Sequence, residues 1–227
     1  MEGTLPELTR RNLSEEVYDV LKRGILSKHF APGERLRLEE IETQLGVSRT
    51  PLKVALDRLA TEGLVDVKPR RGTFVTKNTP DDTAEAFGVR RVLEVYACEL
   101  IAERMGEADL SQLADVHQRL QRLVEAGGSG GDTFYDCIDL DHQFHEELMK
   151  QSGSTRLNDA WRDVNVHVQM ARVRSRDAER LFNTSVEEHG RILEALQAGD
   201  GDAAKAAMDE HLRRAQRMLL EEMRQQA

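Results

Sequence analysis

Between Leu38 and Leu59, two apolar-periodic stretches are separated by only Gly46-Val47-Ser48. So tight a break makes two helices cross at a sharp angle instead of running on as one. The first stretch fits Leu38 to Leu45 and is stopped by Gly46. The second, with Ser48 placed to cap it, carries Leu52, Ala55, Leu56 and Leu59 on one face and stops at Gly63. Upstream, Val17, Leu21, Ile25 and Leu26 recur at helical spacing from Ser14 until the turn signal Ala31-Pro32-Gly33. Downstream, Leu64-Val65-Asp66-Val67 and Thr73-Phe74-Val75-Thr76 flank Lys68-Pro69-Arg70-Arg71-Gly72, which predicts a two-stranded hairpin with a basic tip. Three helices followed by such a hairpin describe a winged helix-turn-helix.

In that motif the helix after the turn offers its N-terminal residues to the major groove of DNA, here Ser48, Arg49, Thr50 and Lys53. The planar fork of Arg49 suits guanine edges or phosphate, Lys53 adds a cation one turn on, and the Ser48 and Thr50 hydroxyls suit phosphate oxygens. Pro51 is tolerated because it lies in the first turn. At the hairpin tip, Gly72 permits close approach of backbone to DNA, and Arg71 beside it suits the electronegative minor groove.

The order of these elements resembles the GntR family. The resemblance rests on Pro-Gly-Glu-Arg-Leu at 32–36, Leu-Gly-Val-Ser-Arg-Thr-Pro-Leu at 45–52, and the run from Glu-Gly-Leu-Val to Pro-Arg-Arg-Gly-Thr-Phe-Val over 62–75, and it covers Leu13 to Lys77. It implies a DNA-binding transcription regulator, with Arg35, Arg37, Arg49, Lys53 and Gly72 as candidate contacts to double-stranded operator DNA. Two departures bear on which operator is read. Lys53-Val54 stands where the family commonly has Arg-Glu, and Glu42 replaces the usual small residue.

The chain has 227 residues, more than the roughly 100–150 usual for one domain, so two domains are expected, at 1–78 and 79–227. Aromatic residues make up only 4% and charged residues 32%, which favours helices packed by aliphatic side chains. Beyond Pro80, with Asp81 or Asp82 placed to cap, helical periodicity fits about 82–104, 108–126, 132–151, 154–176, 180–198 and 202–224. The expected fold class is therefore mostly α, an N-terminal winged helix-turn-helix followed by a C-terminal all-α helical bundle. No apolar run approaches the roughly 20 residues that span a bilayer, and Met1 to Arg10 lacks the apolar core of a signal peptide, so a cytoplasmic protein without a membrane partner is expected. Cys98 and Cys137 have no C-x-x-C partner and suit buried thiols. The net charge of −9 conceals an asymmetry: residues 1–78 hold 14 basic against 12 acidic side chains, and residues 79–227 hold 18 against 29.

Within the helical half, Asp141 and His145 lie four residues apart and share a helix face. His189 and His211 each stand 11 positions from Asp200, the middle of the Ala198 to Asp202 turn, so an antiparallel hairpin sets them at one height. Three histidines and a carboxylate form a shell for a divalent transition metal; zinc leads, and nickel, manganese and iron are compatible. The pattern resembles the FCD effector domain of the FadR-like GntR branch, through Asp-His-Gln-Phe-His at 141–145, Glu-His before Ile-Leu at 188–193, and His-Leu at 211–212. That resemblance implies Asp141, His145, His189 and His211 as metal ligands. Through Arg90-Arg91-Val92-Leu93-Glu94 it also implies an arginine that meets a carboxylate effector, Arg90 first and Arg91 next. The leading expectation is a homodimeric, effector-responsive repressor and not an enzyme. The alternative is a metal-dependent enzyme that activates water at the His/Asp site. His117, His142 and His167 are assigned no function.

Overall fold

The break at 46–48 is a turn of left-handed backbone. Gly46, at φ 63°, ends α2 (Leu38–Leu45) with its N–H donated to the Glu42 carbonyl. Ser48 follows in extended conformation and α3 (Arg49–Thr61) begins, but the Ser48 hydroxyl makes no cap hydrogen bond. The serine holds the N-cap position by backbone alone, which leaves its hydroxyl exposed. The computed structural model describes residues 13–26, 29–104, 108–127, 133–172, 175 and 178–225, divided between two compact units, Met1–Lys77 and Asn78–Ala227.

In the first unit, α1 (Leu13–Leu26) packs on α3 through Leu21, Ile25, Leu52, Leu56 and Leu59, all buried. Each such side chain contributes about 1.5–3 kcal/mol of burial. The Tyr18 hydroxyl donates to Glu62 at 2.7 Å and the Arg58 guanidinium lies 3.7 Å from the Tyr18 ring centre, fastening α1 to the end of α3. The hairpin strands β2 (Val65–Lys68) and β3 (Gly72–Val75) pair antiparallel from Val65↔Val75 to Lys68↔Gly72. The expected two-stranded hairpin is in fact part of a three-stranded sheet. Arg35–Leu36, here β1, pairs with β3 on its other edge and gives the order β1-β3-β2. A strand of two residues is too short to show alternation, so periodicity does not reveal it.

The second unit contains six helices among the described residues: α4 (Pro80–Glu103), α5 (Ser111–Glu125), α6 (Thr133–Gln151), α7 (Thr155–Arg172), α8 (Ala178–Gln197) and α9 (Gly201–Gln225). The start of α4 differs from expectation. Thr79 is the N-cap and Asp82 its reciprocal partner three positions in, a capping box with Pro80 at the first turn. Asn78 belongs to this unit, since its side-chain amide donates to Thr83 and to the His167 carbonyl. The helix expected to run to 176 ends at Arg172, and 173, 174, 176 and 177 lie outside the described residues. Cys98 and Cys137 are both buried thiols, and there is no disulfide among the described residues. Helix α4 packs along α9 and α7, while α6 and α8 close the bundle, so inward-facing side chains of five helices converge near its middle.

Candidate functional site

In the first unit, Arg35, Arg37, Ser48, Arg49, Thr50, Lys53 and Arg71 are all exposed, and Gly72 is half-buried. The apolar face of α3 is turned into the core and its first turn is left free. Two of the cations are engaged locally, Arg37 with Glu40 at 2.8 Å and Arg49 with Glu42 at 3.6 Å. Such solvated pairs are worth at most about 1 kcal/mol, so a phosphate can displace the carboxylate. Gly72 has a second reason to be glycine: its φ is 111°, and a Cβ there would stand 2.8 Å from Arg35 Nε. The sheet edge thus sets Arg35 against the wing. The hairpin tip closes through the Arg71 N–H on the Lys68 carbonyl and holds Arg70 at φ 61°, a conformation that L side chains adopt at a cost.

In the second unit, His145 of α6, His189 of α8 and His211 of α9 meet in the interior. Their ring centres are 4.8–5.1 Å apart and all three are wholly buried. Asp141, one turn before His145, places one carboxylate oxygen 3.8 Å from His145 Nε2 and the other 3.8 Å from His189 Nε2. The α8–α9 hairpin sets the heights: Gly199 turns at φ 71° and Asp200 accepts the Ala203 N–H at the start of α9. His189 is held flat against Phe144, with ring centres 3.9 Å apart.

Two of the imidazoles have fixed tautomers. His145 Nδ1 lies 2.7 Å from Glu94 Oε2 and His211 Nδ1 lies 2.7 Å from Glu188 Oε2. A carboxylate only accepts, so both Nδ1 atoms carry the proton and both Nε2 atoms present lone pairs. Those two lone pairs face each other at 3.3 Å. Nothing among the described residues stands between them to donate, and the arrangement is repulsive unless a cation shares both. Two nitrogens on one tetrahedral zinc, at bonds of about 2.0–2.1 Å, stand roughly 3.3 Å apart. The donor set therefore fits a divalent metal, with His145, His189 and His211 within reach of one ion. Burial pushes the His145 imidazole down to about 4 and His211 to about 3, and takes His189 well below its ordinary value, so all three are neutral at physiological pH.

Around this trio lie groups that sequence reasoning did not single out. Glu94 of α4 is shared: it accepts from Arg90 Nε, from Trp161 Nε1 at 2.6 Å, and from His145. Burial would raise its carboxyl, but the Arg90 charge, then His145 and Trp161, hold it below the usual carboxylate range. Arg214 holds Glu188 through Nε at 2.7 and 2.8 Å. Arg172 of α7 is wholly buried with Nη1 against an Asp141 carboxylate oxygen, while Nε and Nη2 have no hydrogen-bond acceptor among the described residues. Both Nη atoms of the buried Arg90 likewise lack one. Arg91, the alternative to Arg90, instead reaches the surface and pairs with Asp209 at 3.1 Å. His142 stacks on Trp161, and His167 and His117 stand apart from the trio's contacts.

Residues 13–75 match the family of bacterial regulatory proteins known as gntR, and residues 85–214 match the FCD domain. The chain belongs to the GntR family. Its relatives include the uncharacterized HTH-type transcriptional regulator YdhC of Bacillus subtilis, 30% identical over 84% of this chain and 83% of that one. The HTH-type transcriptional repressor RspR of Escherichia coli is 29% identical over 88% of this chain and 86% of its own. A GntR transcriptional regulator of Rhodococcus sp. RHA1 has a solved structure with a TM-score of 0.74 at 26% identity, over 92% of this chain and 97% of that one. The protein is thus a DNA-binding transcription regulator with a helical FCD domain, and its relatives are regulators, not enzymes. No helix among the described residues is long and apolar enough to cross a membrane.

Proposed function

We propose that the protein is a homodimeric repressor that holds operator DNA through residues 1–78 and releases it when a small carboxylate effector binds beside a divalent metal in residues 79–227. The observation that carries the metal is the His145–His211 pair, with facing Nε2 atoms at 3.3 Å and both Nδ1 atoms committed to carboxylates. His145, His189, His211 and Asp141 hold the ion, zinc being the best match to nitrogen-rich donors at this spacing. When bound, the metal supplies a Lewis-acidic centre for an effector oxygen. Arg90, buried beside Glu94 with two unsatisfied nitrogens, supports the role of effector anchor.

On the DNA side, the exposed residues Arg35, Arg37, Ser48, Arg49, Thr50, Lys53 and Arg71, with the half-buried Gly72, read and grip the operator. The similarity to a protein named as a repressor favours repression. Two copies suit a two-fold operator, since one recognition helix reads only a half-site. An effector changes DNA occupancy only by the difference in its affinity for the two states.

The experiment is a fluorescence-anisotropy titration of the zinc-loaded chain against DNA flanking its gene, at two salt concentrations and with a panel of carboxylic acids. The expected result is sequence-selective binding that one class of acid weakens. Equal binding to unrelated DNA at every salt and acid would overturn the proposal.

A further inference from the structure

The closed site contains two buried cations and two buried anions: Arg90 beside Glu94, and Arg172 beside Asp141, all without solvent exposure. The next pair out, Glu188 with Arg214, cancels itself. Imidazoles that ligate a metal are neutral, so these two balanced pairs leave the interior without net charge before the ion is counted. A divalent ion on the histidines raises it to a net charge of two positive units, deep in a helical bundle where unbalanced charge is costly. That ion also takes the Asp141 carboxylate, which is the partner of Arg172. Nε and Nη2 of Arg172 have no acceptor among the described residues, and neither do the two Nη atoms of Arg90. A guanidinium does not shed its proton at neutral pH, and an incoming anion meets both its open donors and its charge.

Resting on the effector reading above, we infer that the effector is a dicarboxylate, with Arg172 its second anchor beside Arg90. One carboxylate matches one of the two excess charges. A second carboxylate matches the other and fills the second fork, and a bidentate arginine–carboxylate pair is among the stronger polar contacts available.

The single tryptophan, Trp161, is buried, donates to Glu94 and lies 5.6 Å from the Arg90 guanidinium, so its fluorescence reports on this site. The test titrates the zinc-loaded full chain with malonate, succinate and glutarate, each against its own monoamide, and with butyrate and inorganic phosphate. The expected result is that at least one diacid saturates the signal at concentrations about tenfold or more below its monoamide, as loss of a charged hydrogen-bonded contact dictates. In Arg172→Gln the diacid preference should vanish. Should that variant misfold, Arg172→Lys retains the charge, removes the fork and should cut the preference. Zinc content, read with a chromogenic chelator, separates loss of the anion contact from loss of the metal. Diacids no better than their monoamides, a stronger response to phosphate, or an undiminished preference in both variants would overturn the inference and leave the carboxylate-effector reading standing. No response to any acid would overturn both.

Discussion

Glu94 joins three functions in one side chain: it fixes the tautomer of His145, holds Arg90 and anchors Trp161. Glu188 does the equivalent for His211, with Arg214 behind it. His189 has no such partner, as both of its ring nitrogens are unsatisfied among the described residues. Partners of this kind orient a ligand ring and raise its basicity, and their removal weakens metal binding by about 10–100-fold. Glu94→Gln and Glu188→Gln should therefore each lower zinc affinity by roughly that factor, measured by competition with a chelator, while circular dichroism stays helical. Unchanged affinity in both would show that the carboxylates only fill space. The three histidines and Asp141 were legible because spacing along helices and across the α8–α9 turn carries to space directly. Arg172 was not. Its helix also holds Arg156 and Arg162, both exposed, and sequence gives the three the same appearance; only the packing of α7 against α4 decides which is buried.

At the scale of elements, the turn and α3 were legible because a glycine in left-handed backbone and an apolar stripe are local signals. The strand β1 and the Thr79 capping box were not. The first is too short, and the second competes with two nearby aspartates of higher capping propensity, among which the backbone path chooses. Two cations of α3 are suited to separable roles toward DNA. Lys53 is exposed one turn into α3 and has no fork, which suits a point charge toward phosphate, whereas the fork of Arg49 at the first turn suits a guanine edge. Lys53→Ala should weaken binding to operator and unrelated DNA alike and lower the salt slope by about one. Arg49→Ala should cost about 1–3 kcal/mol and act on the operator preferentially. Anisotropy titrations against both DNAs over a salt series check this pair. The same loss of selectivity in both variants would contradict the division of roles.

For the molecule as a whole, acid should act unequally on the two units. Six of the seven histidines lie beyond residue 78, and three of them are neutral and wholly buried in one cluster. Burial, the leading cause, lowers His145 to about 4 and His211 to about 3. In the unfolded chain a histidine titrates near 6.5. Between those values the unfolded chain takes up protons that the folded metal-free chain refuses, so stability is complete above about pH 6.5 and falls as the pH drops toward 4. By pH 5 the loss from His145 alone is about 2 kcal/mol, equivalent to roughly 4–8 °C in a domain of this size. Calorimetry of the metal-free chain at pH 7 and pH 5 should therefore show the transition of the second unit moving down by more than that of the first, whose one histidine, His29, is exposed. Zinc changes the competition, because protons must then displace a bound ion as well as enter the core. Loaded protein should hold the transition of its second unit until the pH falls far enough to release zinc, and then lose it over a narrower range. Equal shifts in both units without metal would mean that the histidine cluster opens to water before the bundle unfolds, and that the core is looser than its burial indicates.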